Sequence, residues 1–346
     1  MSVLPAAISA MIDRRDLTPG EMRAVMGAIM GGTATPAQIG AFLVGLCMKG
    51  ETVEELTAAA VVMRALATPV TVRDRRHLVD TCGTGGDGSR TLNISTASAF
   101  VVVAAGGRVA KHGNRSVSSR SGSADVLEAA GVRLDLDPAE VGRCIDEIGV
   151  GFLFAPRHHL AMQHALGPRR EMGVRTIFNM LGPLTNPAQA PNQLVGVFHP
   201  RLVRMFAEVL ARLGSSHALV VHGAEGLDEI SIAGPTMVAE LRQGAIREFS
   251  VSPEDFGLSR SPIAALAVSD AADSLARMRA ALGGEAGPAL DVIALNAGGA
   301  IYVAGLVPAL ADGVEHARAL LAAGTPLQCL DALVARTQQS PVAQTP

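Results

Sequence analysis

His77-Leu78-Val79-Asp80-Thr81, then Gly83-Thr84-Gly85-Gly86-Asp87-Gly88, then an apolar run over 94–105 that stops at Gly106-Gly107, decide the reading of the fold. The first part is short and extended in character, the glycines make a loop, and the apolar run suits a buried helix. A short strand at Arg108-Val109-Ala110 follows, then a polar loop over 111–122, then a helix capped by Ser123 and stopped by Gly131. Strand, loop and helix repeated in this order are the alternation of a largely parallel sheet with helices on its faces. Further strands are expected over 151–155, 193–198 and 217–222, with a hairpin over 237–250 around Gln243-Gly244 and helices again from about 270.

The first 70 residues follow a different pattern. Three starts pair a threonine with Glu or Gln three residues on: Thr18 with Glu21, Thr35 with Gln38, Thr52 with Glu55. In such a capping box the two side chains satisfy each other's backbone N–H groups, and Pro19 and Pro36 add the residue favoured at the first helical position. Three boxes in one segment predict a small helical unit, broken by the sequence Ala-Thr-Pro-Val over 67–70. The expected organisation is a small helical domain over 1–70 beside a large α/β domain over 71–346 with a central, mostly parallel sheet. The last seven residues read as a frayed tail.

Composition narrows the functional classes. Of 346 residues, 49% are hydrophobic and 18% charged, which excludes a disordered chain. Aromatics are only 3%, with no Trp, so the core is aliphatic and the stacking platforms of single-strand nucleic-acid binders are missing. A net charge of −3 leaves no global basic footprint, so any anion site is local and no nucleic-acid partner is expected. The four cysteines, Cys47, Cys82, Cys144 and Cys329, show no metal-ligand spacing and suit a reducing compartment. At the start, positive charge follows the apolar stretch, unlike a signal peptide. The charge-free run 292–311 is interrupted by Asn296, Gly298, Gly299 and Pro308, which favours a buried helix over a membrane span. The expectation is a cytoplasmic protein without a membrane partner.

Four polar segments follow or flank the strands, where open α/β sheets bind ligands. The glycine loop 83–88 joins a strand to a helix, so its N–H groups and the helix start can wrap an anion. It matches GxGxxG, yet Arg108 and Lys111 stand where a dinucleotide site needs an acid, and no Gly-Lys-Ser/Thr marks a P-loop. A tight turn without ligand is the plainer alternative. Asn93-Ile94-Ser95-Thr96 then offers hydroxyls and an amide at a helix start, for phosphate, for a metal or as simple caps. The second segment, 111–123, carries Lys111, Arg115 and Arg120 with five serines, a phosphate cradle or else a solvated loop. The third holds the adjacent carboxylates Asp228-Glu229, which suit Mg²⁺ completed by waters and substrate phosphates. The fourth runs from Arg157 to Arg175. Its histidines lack zinc spacing, and an arginine there could grip a carboxylate bidentately or simply face solvent.

Taken together, Asp80-Thr81-Cys82-Gly83-Thr84-Gly85-Gly86-Asp87-Gly88, Asn93-Ile94-Ser95-Thr96, Lys111-His112-Gly113-Asn114-Arg115 and Gly122-Ser123-Ala124-Asp125-Val126-Leu127 resemble the anthranilate phosphoribosyltransferase family. So do Arg175-Thr176-Ile177-Phe178-Asn179, Leu181-Gly182-Pro183-Leu184-Thr185-Asn186-Pro187 and Leu227-Asp228-Glu229, in order over nearly the whole chain. The resemblance implies the nucleoside phosphorylase/phosphoribosyltransferase type of fold, with helices near 165–185 joining the small domain, and a homodimer. It implies transfer of the phosphoribosyl group of 5-phosphoribosyl-1-pyrophosphate (PRPP) to anthranilate in tryptophan biosynthesis, with release of pyrophosphate. PRPP would be held by Gly83, Gly86 and Asp87, by Thr91, by Asn93, Ile94, Ser95 and Thr96, by Lys111, His112, Gly113, Asn114, Arg115, Ser116, Val117, Ser118 and Ser119, and by Ser123. Two Mg²⁺ per monomer would be held by Ser95, Asp228 and Glu229. Anthranilate would meet Gly83, Asn114 and Arg169, and no dedicated acid or base is implied. The alternatives are a nucleoside phosphorylase of the same fold, which would consume inorganic phosphate and a nucleoside, and a non-enzymatic nucleic-acid-binding paralogue.

Overall fold

The three capping boxes close as read. Thr18, Thr35 and Thr52 each accept the N–H of the third residue on, and Glu21, Gln38 and Glu55 reach back to the cap N–H. In the computed structural model, which describes residues 3–116 and 120–339, they open α2 (Pro19–Met30), α3 (Pro36–Lys49) and α4 (Val53–Leu66), after α1 (Val3–Ile12). Glu55 is fully buried, which is tolerable because its carboxylate is fully partnered. It also accepts the Leu17 N–H at 2.8 Å and pairs with Lys49 at 2.9 Å.

The α/β part begins with β1 (Leu78–Gly83), α5 (Ile94–Ala104), β2 (Arg108–Gly113), α6 (Ser123–Ala129), α7 (Pro138–Ile148) and β3 (Val150–Phe154). After the short α8 (Ala155–His158) come α9 (Gln163–Met172) and α10 (Ile177–Leu181), then β4 (Asn192–Gly196), α11 (Leu202–Arg212) and β5 (His217–Gly223). The hairpin β6 (Thr236–Arg242) and β7 (Ala245–Val251) turns at Gln243 and Gly244, both at positive φ as a two-residue primed turn requires. Four helices complete the described residues: α12 (Ala271–Leu282), α13 (Pro288–Val303), α14 (Leu310–Ala322) and α15 (Thr325–Gln339).

The seven strands form one sheet in the order β3-β2-β1-β4-β5-β6-β7, parallel from β3 to β5 and antiparallel at β6 and β7. Side chains alternate between its faces. On β5, Leu219 and Val221 join α5, α6 and the four last helices, whereas Ala218 and Val220 join α11 and the helical N-terminal part. Helix α9 packs on α2 and α3, and α10 packs on α3 and α4, so the segment after β3 returns to the first four helices. The run from Val292 to Val303 in α13 is buried along its whole length. Among the described residues no helix is long and apolar enough to cross a membrane.

Several boundaries expected from the sequence move, two of them around the second polar segment; β1 also runs on to Gly83, and β4 ends at Gly196. Lys111, His112 and Gly113 continue β2 instead of opening the loop, because each pairs in register with β3. Ser123 is the first residue of α6; Gly122 is the cap, its N–H bonded to Asp125 at 2.9 Å.

Helices α13 and α14 cross where a glycine from each removes the side chain. A Cβ on Gly298 would lie 2.5 Å from the Val314 nitrogen. Gly298→Ala is expected to cost about 1–3 kcal/mol by overpacking, read as a lower urea midpoint. In contrast, Gly27→Ala in α2, where an added Cβ meets nothing within 4 Å, should be neutral or stabilising.

Candidate active site

The order of the strands reverses at β1. Strands β2 and β3 extend to one side of it, β4 and β5 to the other, and the gap beyond the carboxyl ends of β1 and β4 is where such sheets bind ligands. Gly83 and Gly196 end these strands side by side in register. Neither could carry a side chain, since a Cβ on Gly83 would run into the Asp228 carboxylate and one on Gly196 into the Asp228 backbone. The two glycines thus open the slot in which the segment after β5 lays Asp228 and Glu229 across the strand ends.

The glycine loop faces that slot. Gly85, Gly86 and Gly88 lie at φ +67°, +75° and +77°, a region that disfavours any side chain. This curl turns the Gly85 N–H onto Asp228 Oδ2 at 2.7 Å. At the start of α5 the Ser95 N–H bonds Glu229 Oε1 at 3.1 Å. Both carboxylates are buried. Burial, then the neighbouring Asp87 and Glu229 charges, hold Asp228 well above the usual carboxylate range. Burial also lifts Glu229, to about 8, against the pull of Lys111.

Lys111 is buried at the end of β2 and donates to the Thr81 carbonyl and to Ser95 Oγ, the latter at 3.3 Å. Asp80, wholly buried on β1, accepts the His112 N–H at 3.2 Å and the Asn186 amide at 2.8 Å, tying β1, β2 and the turn before β4. Burial raises its carboxyl above the ordinary value. His112 and His159 lie 5.1 Å apart, and burial keeps both neutral, His159 near 4 and His112 well below its usual range. Their Nε2 atoms and Thr96 Oγ1 are buried without a hydrogen-bond partner among the described residues.

The other sequence-expected residues divide. Asn93 stands at the N-cap position of α5, but its side chain makes no capping bond. Its side chain donates to the Ser121 carbonyl at 3.2 Å and accepts from Ser121 Oγ and from Ser274 Oγ, which fastens the start of α5 to the end of the second polar segment and to α12. Thr91 bridges to Ala267, Asp87 accepts from Ser89, and Gly113 and Ser123 face one another too closely for a Cβ on the glycine. Asn114 is exposed. Arg115 points its guanidinium at Asp125 and Glu128 of α6, 3.1 and 2.7 Å away, so its charge is already engaged. Ser116 donates its N–H to Asp125 at 3.1 Å. Val117, Ser118 and Ser119 lie outside the described residues, as does the tail over 340–346.

The stretch from Arg157 to Arg175 is largely helical, in α8 and α9. Arg169 turns inward with its guanidinium 5.1 Å from the Phe178 ring, and among the described residues no carboxylate pairs with it. Burial lowers its affinity for the proton, the mark of a cation short of water. Arg170 is exposed. Sequence reasoning missed Asp80, Asp125 and Gly196 as parts of the site, and gave Arg175 no role. Arg175 stacks 4.6 Å over Phe198 and donates to the Gly86 carbonyl. An acid inside an apolar strand was the available signal for Asp80.

The donor set fits Mg²⁺. Two buried carboxylates and a serine at a helix start are hard oxygen ligands, and no cation forms an ion pair with Asp228 or Glu229 among the described residues. Nor do three His, Cys, Asp or Glu side chains there close on one point, so an ion would complete its shell with water and substrate phosphate, as Mg²⁺ commonly does.

Residues 5–67 match the helical bundle domain of a glycosyl transferase family and residues 75–327 its a/b domain. The anthranilate phosphoribosyltransferase of Thioalkalivibrio sulfidiphilus is 63% identical over 96% of this chain and 98% of its own length. The chain belongs to the anthranilate phosphoribosyltransferase family. The crystal structure of the Thermus thermophilus enzyme superposes with a TM-score of 0.90 at 44% identity, over 96% of this chain and 99% of that one. The Saccharomyces cerevisiae enzyme in complex with PRPP and Mg shares the fold, with a TM-score of 0.88 at 23% identity, over 97% and 98% of the two chains. Membership makes the chain a glycosyltransferase of tryptophan biosynthesis that moves the phosphoribosyl group of PRPP to the amine of anthranilate.

The two slot glycines give a paired test. Gly83→Ala meets chiefly the Asp228 carboxylate, with the Asp228 backbone oxygen farther off at 3.3 Å, so turnover should fall while the melting temperature moves little. Gly196→Ala meets backbone, so both should fall, the stability by about 1–3 kcal/mol. Equal melting losses in the two variants would contradict this geometry.

Proposed function

We propose that the slot at the ends of β1 and β4 is the site of transfer, with PRPP held by the glycine loop 83–88, Thr91, residues 93–96, Lys111 and the following segment to Ser123. The observation that carries the reading is the buried Asp228-Glu229 pair, which is held by two backbone N–H groups and, among the described residues, forms no ion pair with a cation. Asp228, Glu229 and Ser95 hold Mg²⁺, two ions per chain, and the metal neutralises charge on the departing pyrophosphate. The loop N–H groups and the start of α5 take phosphate oxygens, and Lys111 sets a buried positive charge beside them. Arg169 takes the anthranilate carboxylate by its planar fork, with Asn114 and Gly83 nearby, and so aims the amine at ribose C1. The amine lone pair forms the C1–N bond, the C1–O pair leaves with pyrophosphate, and the amine sheds its proton. This chemistry needs orientation and electrostatics more than a strong base, so no residue is assigned as acid or base.

The reading extends to the organisation of the chain: a helical domain over 1–70 joined by helices near 165–185, a large domain over 71–346, a homodimer, and a cytoplasmic setting. Support comes from α9 and α10 packing on α2, α3 and α4.

Loss of anthranilate fluorescence on mixing with PRPP and Mg²⁺ tests the function. Phosphorolysis of thymidine or uridine without PRPP consumption would favour the phosphorylase instead. Asp228→Asn and Glu229→Gln should each remove about 10²-fold or more of turnover at low Mg²⁺, with folding retained, because each deletes a charged ligand. Near-normal turnover in either would refute the assignment. Arg169→Lys keeps the charge and loses the fork, so the anthranilate KM should rise about 10-fold or more while that for PRPP moves far less. Arg170→Lys is the control and should be mild; sensitivity at Arg170 in place of Arg169 would shift the assignment by one residue.

A further inference from the structure

The segment 224–235 that carries Asp228 and Glu229 has no regular secondary structure, so something else must fix its direction. Asn296 is fully buried in α13, in a run that is otherwise apolar from Val292 to Val303. Its Oδ1 accepts the Ile230 N–H at 2.8 Å, and its Nδ2 donates to the Ile230 carbonyl at 2.9 Å and to the Val292 carbonyl at 2.9 Å. The amide orientation follows from chemistry, since one N–H needs an acceptor and two carbonyls need a donor. A single side chain therefore pairs with both backbone groups of one residue, as a neighbouring strand would.

Ile230 directly follows Glu229. One turn along α13, Gly299 leaves room for the Ile230 side chain, whose Cδ1 would lie 3.1 Å from an added Cβ. The same face of one helix thus grips the backbone of Ile230 and accommodates its side chain. Burying an amide in an aliphatic helix is costly unless every bond is made, and here they are made to the residue beside the carboxylates.

We propose that Asn296 is a positioning residue for the metal site, fixing the peptide at Ile230 so that the Asp228 and Glu229 carboxylates face the slot with the geometry Mg²⁺ demands. The inference rests on the reading of these carboxylates as metal ligands. Partners one step behind a ligand typically set metal affinity by about 10–100-fold, although they touch neither metal nor substrate.

The test uses the full chain with Asn296→Asp, nearly isosteric but without the donors, and Asn296→Ser, smaller and still polar. Calorimetry measures PRPP binding over a Mg²⁺ series, with Glu229→Gln in parallel and melting recorded without Mg²⁺. The expected result is a Mg²⁺ requirement for PRPP binding raised about 10-fold or more in whichever Asn296 variant melts cooperatively. Turnover should recover at high Mg²⁺, and the anthranilate KM at saturating Mg²⁺ should be little changed. An unaltered Mg²⁺ requirement in a folded Asn296 variant, while Glu229→Gln shifts it, overturns the positioning role and leaves the metal assignment standing. An unaltered requirement in Glu229→Gln as well overturns both. If neither Asn296 variant melts cooperatively, the residue serves the fold as a whole and the proposal fails.

Discussion

The approach of the Asp228 backbone to Gly196 is the contact on which the site depends. Strands sit about 4.8 Å apart, and a third chain segment can cross their ends closely only where the side chains vanish. Gly83 and Gly196 vanish side by side, in register, where the strand order reverses. The crossing brings two carboxylates, the glycine loop and the first turn of α5 into one slot, although the carboxylates come from a stretch of chain far from the other two. Packing elsewhere serves this placement. The glycine contact between α13 and α14 seats α13 deeply, and α13 in turn reaches Ile230.

Such a slot carries an electrostatic cost. Two adjacent carboxylates are buried, with a third, Asp87, close enough to raise Asp228 further. One buried lysine, Lys111, offsets part of this at Glu229 and also faces Asp80. Buried charge left without full compensation is an unfavourable feature of a fold in isolation. It becomes reasonable where a cation and a polyanion arrive together, because the ion that relieves the carboxylates also binds the phosphates.

Local structure was legible in the residues because its causes are local. A threonine and a glutamate three apart satisfy one another in α2 and α4 whatever surrounds them. Gln243-Gly244 turns its hairpin through its own backbone angles. The family motifs also marked which residue types cluster at the site. What could not be read were partners set by tertiary contact. The polarity around Arg115 suggests a phosphate ligand and says nothing of the partners its guanidinium has in the structure, Asp125 and Glu128, which only the docking of α6 brings near. Lys111 to Gly113 looked like loop because they are polar and lie beside serines, but pairing with β3 holds them extended. Asn296 stood out only as an interruption of an apolar run. Its partner is 66 residues earlier, and no periodicity connects the two.

The same logic accounts for the glycines of the first loop. A phosphate cradle built from backbone N–H groups needs the chain itself to touch the ligand, so side chains are removed where the loop curls. The curl must then be held from behind. Asn93 links the end of the first loop to Ser121 of the second and to Ser274 of α12. Asp125 collects the N–H groups of Ser116 and Gly122, on the two sides of the second loop. Arg175 reaches the Gly86 carbonyl from the connection between α9 and α10. Each of these three side chains restricts a backbone that glycine would otherwise leave free, and preorganisation of that kind is what a reaction dependent on orientation and charge neutralisation requires.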